Sequence, residues 1–190
     1  MITCIRHAPV ALNFKGRCYG ALDVAPSIPH SDAAATALAS MAQGSWTMAD
    51  YDEIWSSDLA RCRGLADAML HRAAGEGAGQ LPPLKLDARL RELDHGAFEG
   101  RAWEEIHGSE PDALARWGER WQSEGPPDGE SAEALGGRVA AWLGDRSEGR
   151  RLLLVAHAGV VRALHVHLLG LSWSDAMAIE VPHLRAVQLR

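Results

Sequence analysis

Two apolar runs in this chain stop on a histidine. In ITCIRHAP the run ends on Arg6 and His7, and in LLLVAHAG the run Leu152–Ala156 ends on His157. A buried strand has no structural use for a cation followed by an imidazole at its end, whereas a binding site at the mouth of a sheet does. A third cluster, SSDLAR, follows the short apolar stretch Asp52–Trp55 and places Arg61 one helical turn beyond Ser56 and Ser57. In open α/β sheets ligands bind outside the carboxyl ends of the strands. If these strands are neighbours, Arg6, His7, Arg61 and His157 converge on one edge. Two arginines and two histidines there call for an anion, above all a phosphate, because guanidinium forks match phosphate oxygens and helix N-termini add backbone donors. A neutral imidazole is also a competent nucleophile near pH 7. For phosphoryl transfer the protein mainly positions groups and neutralises the equatorial oxygens. Arg6, Arg61 and a protonated His157 could supply that charge. An acid for the departing alkoxide is then needed, and RLRELDHGAFEG (89–100) offers Glu92, Asp94 and Glu99.

Taken singly, each of these residues has a plainer reading. Arg6-His7 would be a solvated strand end, His157 a satisfied core histidine and Arg61 a surface helix residue. None of those readings accounts for their joint placement at strand ends. His95 is close to Glu92 and is a candidate for the pocket wall. His165 and His167 stand two apart in a helical stretch and so point to different sides, which disfavours chelation. His30, His71, His107 and His183 carry no pattern and default to the surface. The glycines of GEGAGQ follow a helix instead of a strand and are not a dinucleotide fingerprint.

The elements that must position these groups alternate. Met1–Ile5, Asp52–Trp55, Leu84–Leu86, Leu152–Ala156 and, as an edge, Ala186–Leu189 are strand candidates; the fourth, apolar throughout, suits a strand buried on both faces of a parallel sheet. Leu59, Cys62, Ala66, Met69 and Leu70 recur at helical spacing after Ser56 or Ser57 as N-cap, with Asp58 in the first turn. Leu135–Leu143, begun near Ser131, and 158–170, ended at Gly170, are further helices. Residues 103–121 also read as helical, with Trp103, Ile106, Leu114, Trp117 and Trp121 as the apolar side. Alternating strands and helices predict an α/β fold with a largely parallel sheet.

With 190 residues, 47% of them apolar, the chain suits one domain spanning 1–190. A net charge of −6 makes nucleic acid and anionic membranes poor partners. No run is long enough to cross a bilayer, and Arg6-His7 interrupts any signal-peptide core, so a cytoplasmic protein is expected. Cys4, Cys18 and Cys62 are odd in number and show no CxxC spacing, so they are expected reduced and half-buried.

These same motifs resemble those of the histidine phosphatase superfamily, the phosphoglycerate-mutase-like branch. Arg6-His7-Ala8 is similar to its Arg-His-Gly opening, SSDLARCRGLA to its second-arginine helix, RELDHGAFEG to its acid loop, and VAHAGVVRAL to its second histidine motif. The resemblance implies a three-layer α/β/α sandwich with a mostly parallel sheet and a phosphohistidine on His7. It implies that Arg6, Arg61 and His157 hold the phosphate, with Asn13 and Arg17 at its approach, and that Glu92 is the proton donor; His95 and Ala158 complete the candidate substrate contacts. The implied partner is a small-molecule phosphomonoester, with no cofactor or metal. GRCYGALDVAP and PPDGES look most like the α-ribazole phosphatase group, which acts in cobalamin assembly; a broad-specificity or sugar-phosphate phosphatase, or a non-catalytic phosphate-binding module, are the other readings. The chain departs from the family at Ala8-Pro9 and in VAPSIPHSDAAATAL, which lacks the customary helix start. It also lacks the mutases' lysine-bearing insertion, which favours water as acceptor. Trp103–Trp121 is open to two readings, a substrate cap or the face of a homodimer.

Overall fold

The computed structural model describes residues 1–146 and 149–189. Among them five strands, β1 (Ile2–Arg6), β2 (Glu53–Ser56), β3 (Leu84–Leu86), β4 (Leu152–Ala156) and β5 (Ala186–Leu189), form one sheet in the order β3-β2-β4-β1-β5. The first four are mutually parallel, and β5 closes the edge antiparallel to β1. The apolar run of β4 lies at the centre because both its faces are covered. Leu153 and Val155 join one core cluster, while Leu152, Leu154 and Ala156 join the other.

Helices α1 (His30–Gln43) and α2 (Ala60–Gly75) pack on each other over the first face, where Ala34, Ala37, Met41, Leu65 and Met69 meet Ile5 and Ile54. After α3 (Trp103–Ser109) and α4 (Pro111–Arg120), α5 (Ala132–Gly144) and α6 (Ala158–Leu169) cover the second face, and the short α7 (Trp173–Ala178) packs on α6. The result is a mostly parallel sheet between two helical layers, the phosphoglycerate-mutase-like α/β/α sandwich. Leu154 is completely buried, and Leu154→Ala would cost about 2–5 kcal/mol. Among the described residues no helix is long and apolar enough to cross a membrane.

Several local expectations are corrected. VAPSIPHSDAAATAL, which lacks the customary helix start, leads into a helix that the sequence reading did not include: α1 starts after Pro29, and its buried Ala33, Ala34 and Ala37 let it lie close against α2. The stretch 103–121 is two helices, because Pro111 lacks an N–H and opens a new helix at its first turn. Neither Ser56 nor Ser57 caps α2. Its N-cap position is Leu59, the Ala60 amide donates to the Asp23 carboxylate at 2.9 Å, and Asp58 precedes the helix and pairs with Arg91. α5 begins beside Ser131 as expected, with the Ser131 side chain capping it, and Gly170, at φ 67°, ends α6. The three cysteines are free and fully buried, not half-buried.

Candidate active site

The sheet order makes β2, β4 and β1 neighbours, so the residues that follow their carboxyl ends, Ser57, His157 and His7, are neighbours too. The His7 amide donates to Ala156 O at 3.1 Å, and the Ser57 amide to Val155 O at 3.1 Å. His7 is only 2% exposed. Its Nδ1 is 2.6 Å from Ala8 O. A carbonyl only accepts, so Nδ1 carries the proton and Nε2 keeps a free lone pair. The His7 ring stands edge-on to two other imidazoles, with centroids 5.1 Å from His157 and 5.4 Å from His183. Burial first, and then the Arg61 charge, push His7 well below the usual 6.5, so the ring is neutral.

His157 is fully buried. Arg61 Nη2 lies 3.3 Å from its Nδ1, and Nε2 lies 2.9 Å from Ser57 Oγ. Arginine can only donate, so Nδ1 accepts and Nε2–H donates to Ser57. Burial, His7 and Arg61, in that order, drive His157 well below 6.5. It is therefore neutral here, which corrects the expectation of a protonated ring: an apolar enclosure beside a guanidinium disfavours a second cation.

Arg61 is held within the core by carbonyls, donating from Nη1 to Leu22 O at 2.7 Å and from Nη2 to Gly20 O at 2.6 Å. Arg6 donates from Nη1 to Val181 O at 2.8 Å. The Nε–H groups of both, and of Arg162, are buried with no acceptor among the described residues. All three arginines line one cavity, and their charges make it a place for an anion.

Glu92 sits at the N-terminus of α6, where its carboxylate accepts from Gly159 N at 3.0 Å and from Leu93 N at 3.1 Å. A Cβ on Gly159 would press on that carboxylate, the movable end of the Glu92 side chain, and push it off this seat. Arg138 staples the acid loop from behind, donating to Arg89 O and Arg91 O at 2.7 Å, to Glu92 O at 3.0 Å and to Glu130.

These groups form one end of a cavity of about 460 Å³. Arg6, His7, Arg61, Glu92, His95 and Ala158 line it, and His157 lies beneath in contact with His7 and Arg61. Asn13 and Arg17 do not line it. Asn13 is exposed in the turn Leu12–Phe14, and Arg17 is exposed with its guanidinium on Gly100 O at 2.9 Å. Of the histidines read as surface, His71 and His107 are exposed and His30 is half-buried. His183 instead lies beside His7, with Nδ1 2.6 Å from His7 O. His165 Nδ1 and His167 Nε2 each sit 2.8 Å from a carbonyl, of Val161 and Gly136. The reading also missed Arg162, Tyr19 and Trp173, which line the cavity. Arg162 had a usable signal: three residues past Gly159, it shares that face of α6. Trp173 had none, since a six-residue helix shows no periodicity.

A family model described as the histidine phosphatase superfamily (branch 1) matches residues 2–190. The chain belongs to this superfamily. It is a hydrolase of the histidine-phosphatase type. It is 30% identical over 182 residues to a glucosyl-3-phosphoglycerate phosphatase of Mycolicibacterium vanbaalenii, covering 90% of this chain and 74% of that one. It is 28% identical over 173 residues to phosphoserine phosphatase 1 of Hydrogenobacter thermophilus, covering 90% and 76%. The α-ribazole phosphatase of Shigella flexneri superposes with a TM-score of 0.79 over 96% of this chain and 86% of that one; at 21% identity this is a likeness of fold.

Proposed function

We propose that residues 1–190 act as one catalytic domain that hydrolyses a small-molecule phosphomonoester through a phosphohistidine on His7. One observation carries this reading: the His7 Nδ1–H is committed to Ala8 O, so the free Nε2 of a neutral ring belongs to the cavity that also holds two arginines and a carboxyl group. His7 Nε2 attacks phosphorus in line, the bond from phosphorus to the leaving oxygen breaks, and protonated Glu92 gives its proton to that oxygen. The Glu92 carboxylate then takes a proton from water, whose oxygen attacks phosphorus and releases phosphate and His7. Arg6 and Arg61 neutralise the equatorial oxygens, with His157 bracing Arg61.

α-Ribazole 5′-phosphate remains a candidate substrate, supported by GRCYGALDVAP, PPDGES and a likeness of fold. A broad-specificity or sugar-phosphate phosphatase has the better support, because the relatives of higher identity are named for glucosyl-3-phosphoglycerate and phosphoserine. A non-catalytic binder would need no carboxyl group seated beside the nucleophile. The test is p-nitrophenyl phosphate hydrolysis with and without EDTA, combined with acid-quench trapping of a phosphoenzyme. Turnover insensitive to EDTA is expected, with loss of both turnover and phosphoenzyme in His7→Ala. Near-normal hydrolysis by His7→Ala would refute the mechanism.

A further inference from the structure

Beyond the phosphate end, three indoles, those of Trp117, Trp121 and Trp173, line the cavity together with Tyr19 and His95. Trp117 of α4 lies parallel to Trp103 of α3, with centroids 6.2 Å and planes 3° apart, and His95 meets Trp117 edge-on at 5.6 Å. Trp121, just past α4, meets Trp173 of α7 edge-on at 6.5 Å. Trp117, Trp121 and Trp173 all face the cavity, with Leu93, Leu135 and Met177 beside them. Each indole is thus braced by another ring, and its orientation is set by the fold before any ligand arrives. One cation interrupts this wall. Arg162 donates from Nη2 to Ile179 O at 3.3 Å, and its buried Nε–H has no partner among the described residues.

We propose that this end of the cavity binds an aromatic ring carried by the leaving group, stacked on the indoles, with Arg162 donating to an acceptor between ring and phosphate. The proposal rests on the phosphatase reading above and names the class of its substrate: aryl-bearing phosphomonoesters. A small polar leaving group would leave the indole wall against water. A sugar ring carries polar atoms around its edge, for which this wall offers Tyr19, His95 and Arg162, whereas an aromatic ring presents two flat carbon faces to the indoles. Flat rings on preset indoles satisfy both constraints, and one well-placed polar group fixes orientation.

The test uses non-hydrolysable phosphonates, so it does not depend on turnover. 3-Phenylpropylphosphonate, 3-cyclohexylpropylphosphonate and propylphosphonate share one anionic head and tether and differ in the ring. Stacking predicts that the phenyl compound binds about 10- to 100-fold more tightly than propylphosphonate by titration calorimetry, and more tightly than the cyclohexyl one. Trp117→Ala and Trp121→Ala should shrink the phenyl-to-propyl ratio several-fold, while Trp117→Phe, which keeps a ring, should retain most of it. A hydroxyl at carbon 2 of the phenylpropyl tether should add affinity to the wild-type chain and none to Arg162→Met. Equal affinity for the phenyl and propyl compounds, equal affinity for the phenyl and cyclohexyl compounds, or no detectable binding of the phenyl compound would overturn the proposal. Failure of the phosphatase reading shows itself separately, as absence of turnover and phosphoenzyme despite ring-selective binding.

Discussion

Glu99 touches neither nucleophile nor acid, yet its replacement should weaken both fold and turnover. Its carboxylate accepts from the amides of Gly20 at 2.9 and 3.0 Å, Ala21 at 2.9 Å, Leu22 at 3.3 Å and His95 at 3.0 Å. Gly20 O and Leu22 O are the carbonyls that hold Arg61, and the next residue, Asp23, takes the Ala60 amide at the start of α2. One carboxylate therefore fixes the loop that aims a phosphate-facing guanidinium. Burial alone would raise the Glu99 carboxyl, but hydrogen bonds from His95, Gly20 and Ala21 outweigh it and hold the group at about 2, down from 4.5. At about 1.4 kcal/mol per pH unit, that difference corresponds to about 3 kcal/mol of stability. The folded chain binds this proton less tightly than the unfolded one. The stabilisation is thus complete above about pH 4.5 and is lost as pH falls towards 2. Glu99→Gln keeps one acceptor oxygen and turns an N–H2 towards N–H donors, so urea unfolding at pH 7 should show a loss of about 2–3 kcal/mol. The gap between wild type and variant should shrink to less than half by pH 3, and kcat/KM at pH 7 should fall about tenfold or more as Arg61 loses its cradle. A loss under about 0.5 kcal/mol, or a gap of the same size at pH 7 and pH 3, would refute the reasoning.

His7 and His157 are both held well below 6.5, chiefly by burial. Stability should therefore be full above about pH 6.5 and decline below it, with a shallower decline in His157→Gln, read by urea midpoints from pH 8 to 5. Arg61→Lys should lower kcat/KM by roughly 10²–10³, because one ammonium cannot span Gly20 O, Leu22 O and His157 as the guanidinium does. Gly159→Ala should displace the Glu92 carboxylate and depress turnover of alkyl phosphates more than that of p-nitrophenyl phosphate, whose leaving group needs little protonation. His183→Ala should reduce kcat about tenfold with little change in KM, since the lost group fixes the backbone of His7; His183→Asn, which can still donate to His7 O, should recover most of it. Parallel losses in the Ala and Asn variants would show a purely steric role.

The phosphate end of the site was legible because it is written in strand ends. Arg6-His7 follows a short, mostly apolar run and His157 an unbroken one, and Arg61 follows the next strand at one helical turn. The rule that ligands bind at carboxyl ends of parallel strands turns those positions into one place. What escaped is what reaches the cavity by other routes. His183 stands in a loop before β5 with no pattern around it, and only the antiparallel return of that strand brings it to His7. Arg138 looks like any polar residue of α5 until the acid loop folds over it. α1 was missed because its buried face is alanine, which carries little hydrophobic signal, and its start is marked by Pro29 without a capping side chain. Asn13 and Arg17 were assigned by resemblance alone, and no rule of placement stood behind them.

Ala8-Pro9, where the family carries glycine and glutamate, shows how the first strand end tolerates its departure. Ala8 is 1% exposed and its side chain belongs to the core cluster with Ile5 and Ala33. It is not among the positive-φ residues, so glycine's extra freedom is not used. Proline at position 9 disfavours the helical region for residue 8, which keeps Ala8 extended with its carbonyl turned to His7 Nδ1. The carbonyl of Pro9 accepts from Ser27 at 2.7 Å and ties the turn to the loop before α1. A glycine at position 8 would leave a methyl-sized gap and a more mobile carbonyl at the atom that sets the nucleophile's tautomer. Ala8→Gly should therefore lower kcat as well as stability, the latter by about 1 kcal/mol from added backbone freedom and the lost methyl. If kcat rose in Ala8→Gly, the alanine would be a departure that costs activity, and the proposed bracing of the His7 ring by a stiffened turn would be wrong.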